Sequence, residues 1–224
     1  MRGLAPPRFT SVYTAGMTID WPLFDLRLTY RDLVLRPLRE ADLPYLCEVL
    51  PDDVGHDPRL ALFPGQTLME NERRLFCMGY WKALGTWDPA SWVLHFAVEH
   101  DGALVGVQTL EGENFPALRT VDSASWLIPE VRGRGLGARM RTAALGFAFD
   151  RLGATAAISS ATMSNHASLG VSRRVGYLDN GISRIVDTGG DVVELQNLRL
   201  TVDRWAGAEV EVDGFEGCRA WFGS

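Results

Sequence analysis

Trp126-Leu127-Ile128-Pro129-Glu130-Val131-Arg132-Gly133-Arg134-Gly135-Leu136-Gly137-Ala138-Arg139-Met140-Arg141-Thr142 is the stretch that decides the fold. A strand-like run from Val121 to Ile128 leads into it. Beyond the glycines, Leu136, Met140, Ala143 and Phe147 recur at i, i+4, i+7 and i+11, the period of one helix face. A strand, a glycine-rich turn and a helix start together make a cradle for an anion. The first N–H groups of a helix have no intrahelical partner and carry the positive end of its dipole. Glycines remove the Cβ atoms that would hold a phosphate away from the backbone. Arg132, Arg134, Arg139 and Arg141 add positive charge around it. A phosphate-bearing ligand is expected here, although a plain αβ turn has the same short pattern.

Two common phosphate cradles fit poorly. The P-loop ends in Gly-Lys-Ser/Thr, where this chain has Gly137-Ala138-Arg139. The dinucleotide fingerprint needs Gly-x-Gly-x-x-Gly and an acid closing the next strand. Here the glycines stand at 133, 135 and 137, and the next strand runs out in Ser159-Ser160-Ala161-Thr162.

Arg132-Gly133-Arg134-Gly135-Leu136-Gly137 resembles the Gln/Arg-x-x-Gly-x-Gly/Ala signature of the GNAT N-acyltransferases. Asn165-His166-Ala167-Ser168, followed by Val171 to Tyr177, is similar to the family's Asn-x-x-Ser/Ala segment, short helix and closing Gly-Phe/Tyr. Trp126 within Ala-Ser-Trp-Leu resembles the ribosomal-protein N-terminal acetyltransferase (RimJ/RimL) branch. Trp21-Pro22-Leu23-Phe24, Val105 to Gln108, Val121 to Trp126, Asp179-Asn180-Gly181 and Val212 to Phe215 resemble an actinobacterial subgroup. That subgroup includes a mycobacterial member described as using succinyl-CoA.

The resemblance implies a mixed α/β domain whose two central parallel strands splay apart, here 120–128 and 155–162. Acetyl-CoA or succinyl-CoA would enter that cleft as co-substrate, with no metal. Its pyrophosphate would lie on Arg132, Gly133, Arg134, Gly135, Leu136, Gly137 and Ala138. Exposed backbone near Leu127 and Ile128, where such strands bulge, would hold the pantetheine with Asn165 and Ser168. Asn165 reads equally well as a turn residue or helix cap.

Acyl transfer from a thioester to an amine needs a neutral amine, a donor for the oxyanion and stabilisation of the leaving thiolate. Strand alternation puts Asp122, Ala124, Trp126 and Ile128 on one face. Asp122 matches a strand position where relatives carry Glu or Asp and is the first candidate base; Glu111 is the second. Many relatives carry a tyrosine as acid in the last helix, but that slot holds Ser172. Ser172 is a weaker donor and leaves a second reading open, a catalytically weak acyl-CoA-binding module. Tyr177 is expected in the core. A succinyl carboxylate would need a cation, with Arg119 or the long loop as candidates.

Composition narrows the partners. Net charge is −6 with a pI near 5.2, which opposes nucleic acid and anionic membrane and suits an amine acceptor on a protein or small molecule. Of 22 basic residues only Lys82 is lysine. The 46% hydrophobic content suffices for a core. Cys47, Cys77 and Cys218 are odd in number and widely spaced, so they read as buried thiols in a cytoplasmic protein, without metal-ligand spacing. Residues 1–22 read as a loose leader to a domain over 23–224, with homo-oligomerisation left open.

Along the chain, Leu33–Leu38 reads as a first strand and Ala41–Leu50 as a helix. Pro51–Gly65 reads as a long acidic loop containing His56. A helix over Thr67–Leu84 and a hairpin of 92–98 and 104–110 around Asp101-Gly102 follow. Helices over 135–152 and 167–175 and strands over 184–186 and 192–202 complete the pattern. Trp81, Trp87, Phe63 and Met69 are candidates for an acceptor wall, with core packing the alternative. His95, His100 and His166 read as structural.

Overall fold

The computed structural model describes residues 21–54, 60–187 and 190–223. β1 (Arg27–Tyr30) and β2 (Leu33–Pro37) form a first hairpin. Pro44 lacks a backbone N–H and is tolerated in the first turn of a helix. The helix expected over 41–50 is accordingly shorter: a tight turn at Glu40–Asp42, then α1 (Leu43–Glu48). α2 (Leu68–Gly85) starts where expected because Thr67 and Glu70 cap each other reciprocally. β3 (Trp92–His100) and β4 (Ala103–Gly112) turn through Asp101 and Gly102, both at positive φ.

A short α3 (Phe115–Leu118) precedes β5 (Thr120–Leu127), and the glycine turn leads into α4 (Leu136–Gly146). Past Gly146 this helix widens into a π turn, Phe147–Arg151, where Leu152 N–H donates to the Phe147 carbonyl. β6 (Ala156–Thr162), α5 (His166–Val175), β7 (Leu178–Val186) and β8 (Val192–Thr201) follow. β7 is longer than the 184–186 segment expected, with a register slip between Asp179 and Ile182 beside Gly181. β9 (Glu211–Asp213) and α6 (Phe215–Cys218) close the chain.

Among the described residues, nine strands form one mixed sheet in the order β7-β8-β6-β5-β4-β3-β2-β1-β9. Only β5 and β6 run parallel; the other pairs are antiparallel. β1 and β9, both absent from the sequence-based assignment, make the far edge.

One face packs on α4 and α5. Leu136, Met140, Ala143, Phe147 and Leu169 join Leu35, Phe96, Leu110 and Val121 in the main core. Phe147, Phe215, Phe222, Trp92 and Trp87 meet mostly edge to face. The other face is covered by α1 and α2, whose Leu43, Leu46 and Tyr80 pack on Leu38, Ala97 and Val107. Residues 1–20 of the expected leader and His56 lie outside the described residues; Trp21 meets Trp221 edge to face, 4.7 Å between ring centres. Among the described residues no helix is long and apolar enough to cross a membrane.

Candidate active site

Gly133 and Gly135 both take positive φ, 76° and 79°, and Gly135 stands at the N-cap of α4. No atom lies within 4 Å of where a Cβ would stand on either, so the backbone there faces open space. Leu136, Gly137 and Ala138 supply the first helical N–H groups, the geometry that suits a phosphate. Gly137 also serves packing, since a Cβ there would meet Val171 Cγ2 at 3.1 Å and its absence lets α4 approach α5.

The four arginines expected around the cradle have separate fates. Arg132 Nε donates to the Leu127 carbonyl at 2.8 Å, and its other nitrogens grip the Asp53 carboxylate at 2.5 and 2.8 Å. That pairing holds Asp53 below the ordinary carboxylate range. Arg139 pairs with Asp32. Arg134 is exposed and forms no ion pair among the described residues. Arg141 is not on the outside at all: it is 2% exposed, on the core side of α4.

The β5–β6 ladder is short. Its pairs are Thr120–Ala156, Val121–Ala157 and Asp122–Ile158, and there it stops. Just past this last rung, Ser159 Oγ donates to the Ser123 carbonyl at 3.1 Å, and Ser123 Oγ donates to the Ile158 carbonyl at 3.4 Å. The two central strands then part, as the family resemblance implied. β5 stays paired with β4 from Asp122 to Leu127 without a break, and the irregularity in this part of the sheet lies between Val98 and Glu99 instead. The bulge expected near Leu127 and Ile128 is therefore absent. The Leu127 carbonyl is taken by Arg132 and the Ile128 N–H by the Val105 carbonyl, so neither is a free pantetheine contact.

Strand alternation divides the site between the two faces of the sheet. Asp122, Ala124 and Trp126 point towards α2, where Trp126 meets Phe76 edge to face. Ala124 and Ser160, the next residues on this face beyond the last β5–β6 rung, are both exposed although their strands are central. The helical layer is thus open above the fork. Glu111 faces Asp122 directly across the β4–β5 ladder. Glu111 is exposed at its surface, yet the protein around it desolvates the carboxyl and pushes it up, as does the neighbouring Asp122 charge. Asp122 is raised by burial, opposed by the Ser123 N–H that bonds it at 2.6 Å and by the Arg141 charge.

On the opposite face, Ser123, Ser125, Ser172, Tyr177 and Arg141 form a buried polar cluster. Arg141 donates to Ser125 Oγ at 3.0 Å and to Ser172 Oγ at 3.3 Å, and its Nε has no partner. Tyr177 Oη lies 3.1 Å from Ser123 Oγ in the core, where it was expected. Gln108 stands opposite Ser125 and donates to the Thr109 and Ala124 carbonyls, while its Oε1 has no partner. Sequence reasoning missed Arg141 by counting it with the surface arginines. The signal was present: Gly137, Arg141, Ala144 and Ala148 fall at i, i+4, i+7 and i+11 and continue the inward stripe.

Asn165 accepts from the Ser168 N–H at 3.0 Å and so caps α5, the alternative that its residue type allowed. Ser172, in the tyrosine slot, is fully buried. Arg119 bonds the Leu152 carbonyl at the closed end of β5, away from the fork, and cannot meet a donor's distal carboxylate. Trp87 belongs to the core, whereas Trp81 and Phe63 are exposed. His95 bonds Thr109 and His100 bonds Asp32. Cys47 and Cys77, which looked unrelated, lie 3.4 Å apart where α1 meets α2. Among the described residues, no three His, Cys, Asp or Glu side chains gather as a metal site requires.

A profile described as the acetyltransferase (GNAT) domain matches residues 32–178. Among solved structures, the chain is similar to RimJ of Mycobacterium smegmatis in complex with CoA-disulfide, at 17% identity and TM-score 0.64, covering 89% of this chain and 95% of that one. It is similar to RimL, a ribosomal L7/L12 α-N-protein acetyltransferase in complex with coenzyme A, at 18% identity and TM-score 0.60, covering 78% and 96%. A GNAT-family acetyltransferase from Bacillus anthracis gives 17% identity and TM-score 0.61, covering 78% and 98%. At these identities the likenesses speak for the fold alone. Because the domain profile spans well over half of the sequence, the chain belongs to the GNAT acetyltransferase family.

Proposed function

We propose that the protein transfers an acetyl group from acetyl-CoA to a primary amine. The observation that carries this reading is the fork after Asp122 and Ile158, with two carboxyls on one face and a glycine cradle on the other. The cradle binds the diphosphate, and the thioester is drawn into the fork. The amine reaches Asp122 and Glu111 through the opening above Ala124 and Ser160. Asp122 takes the amine proton, directly or through a water, as the nitrogen attacks the carbonyl carbon. Two carboxylates and an overall charge of −6 favour a cationic acceptor such as a small polyamine or a peptide N-terminus.

Acetyl is favoured over succinyl on charge. A succinyl tail entering the acceptor side would bring a third carboxylate towards Glu111 and Asp122, and Arg119 is committed elsewhere. The buried Ser172 supports a second reading, an acyl-CoA binder with weak turnover. Thermal shifts and turnover with acetyl-CoA and succinyl-CoA against an amine panel test both. Acetyl transfer is expected; tighter binding and faster transfer with succinyl-CoA would overturn the donor assignment, and binding without transfer would favour the binder.

A further inference from the structure

Arg141 is a buried cation with no ion pair of its own among the described residues, although its charge reaches Asp122 across the sheet. Its residue is 2% exposed, and its Nε has no partner. Taking a guanidinium out of water costs several kcal/mol unless a counter-charge offsets it. Its polar neighbours are neutral hydroxyls: Ser125 on β5 and Ser172 on α5, to which it donates, and Tyr177 beside them. Ser125 lies three positions beyond the last β5–β6 rung, so the guanidinium borders the place where the strands part.

We propose that Arg141 is the counter-charge for the CoA thiolate that leaves during acyl transfer, acting through the Ser172 hydroxyl. This rests on the acyl-CoA reading above. A donor anchored at Gly135 enters from the α4–α5 face, while the amine is held by carboxyls on the α2 face. The sulfur therefore lies nearer Arg141, and the carbonyl carbon nearer Asp122. As the nitrogen lone pair forms the C–N bond, the C–S pair departs on sulfur and the amine proton goes to Asp122. A negative charge then develops beside a guanidinium that has no direct ion-pair partner.

Arg141 also directs Ser172. Its N–H occupies a lone pair of Ser172 Oγ, which leaves the hydroxyl proton free to point away from the guanidinium, towards the sulfur. Arg141 is thus a positioning residue. A serine that is a poor acid suffices, because the thiolate leaves as an anion instead of waiting for a proton. Two other titratable groups face this site. Tyr177 is held above its usual range by burial, and Asp122 lies across the sheet.

The test is to titrate the thiol of CoA bound to the intact protein, following thiolate absorbance or alkylation rate. Calorimetry of CoA binding runs alongside it. Bound CoA is expected to carry about tenfold more thiolate at neutral pH than free CoA, a shift of about one pKa unit. Arg141→Met should abolish the shift while CoA still binds, and Arg141→Lys should keep part of it. Ser172→Ala should weaken it and leave binding unchanged. If Arg141→Met does not fold, the wild-type and Arg141→Lys titrations decide. Wild-type protein that binds CoA with an unshifted thiol overturns the role of Arg141 and leaves the acyl-CoA reading intact. Failure to bind CoA overturns both.

Discussion

Glu111 and Asp122 stand opposite each other on β4 and β5, at the last rung before the central strands part. Desolvation by the surrounding protein raises both carboxyls, and the charge of Asp122 raises Glu111 further. A base at Asp122 is therefore poised above the usual carboxylate range. The acidic limb of kcat/KM should lie above that range as well. Asp122→Asn should lower turnover by about 10²–10⁴-fold and flatten that limb, with CoA affinity nearly unchanged. Glu111→Gln should leave that limb close to its wild-type position, since burial, the Ser123 N–H and Arg141 set Asp122, whereas the Asp122 charge acts on Glu111. An unaltered profile in Asp122→Asn would pass the role of base to Glu111 or to solvent.

The cradle makes a separate prediction. Gly135 holds φ 79°, a conformation that costs a residue with a Cβ about 1–2 kcal/mol. Gly135→Ala should lose about that much stability while the cleft stays open. Gly135→Asp should in addition abolish stabilisation by CoA, about 2.7 kcal/mol at 100 times the dissociation constant. Undiminished CoA binding by Gly135→Asp would remove the diphosphate from this turn.

Much of this was legible because it is local. The glycine turn, the Asp101-Gly102 hairpin and the alternation that pairs Asp122 with Trp126 depend on neighbours a few residues apart. What was missed depends on distant partners. β1 and β9 are short, and β9 is a strand only through its pairing with β1 at the sheet edge. Cys47 and Cys77 meet because α1 packs on α2. Arg141 was misread because charge suggests solvent, and its burial depends on partners from other elements, the hydroxyls of Ser125, Ser172 and Tyr177 and the Asp122 charge across the sheet.

His95 gives the fold a pH signature. Burial holds its imidazole down to about 4, against about 6.5 in an unfolded chain. Between those values the folded state binds fewer protons than the unfolded one, so stability falls as pH drops through the window. The loss should reach roughly 3 kcal/mol. The raised carboxyls of Glu111 and Asp122 act in the opposite sense. Comparison with His95→Gln isolates the histidine: chemical unfolding from pH 7 to 4 should show a weaker loss in the variant. Parallel curves for the two proteins would contradict the buried neutral imidazole.

Cys47 should be a slow thiol. Burial first, then the adjacent Cys77, pushes it up to about 11. Since the thiolate is the reactive form, alkylation of Cys47 should climb roughly tenfold per pH unit from neutrality towards that value. Fast labelling at pH 7, located by peptide mass mapping, would show that α1 and α2 do not enclose it as described.

The central claim is that acyl-CoA and an amine meet from opposite faces at the fork beyond Asp122. Its most direct measurement is mass spectrometry of a panel of polyamines and short peptides incubated with the protein and acetyl-CoA, with CoA thiol release counted in parallel. The account predicts one acetyl group gained on an amine for each thiol released, with both signals falling together in Asp122→Asn. Saturable acetyl-CoA binding with no acetylated amine and no thiol released would contradict it.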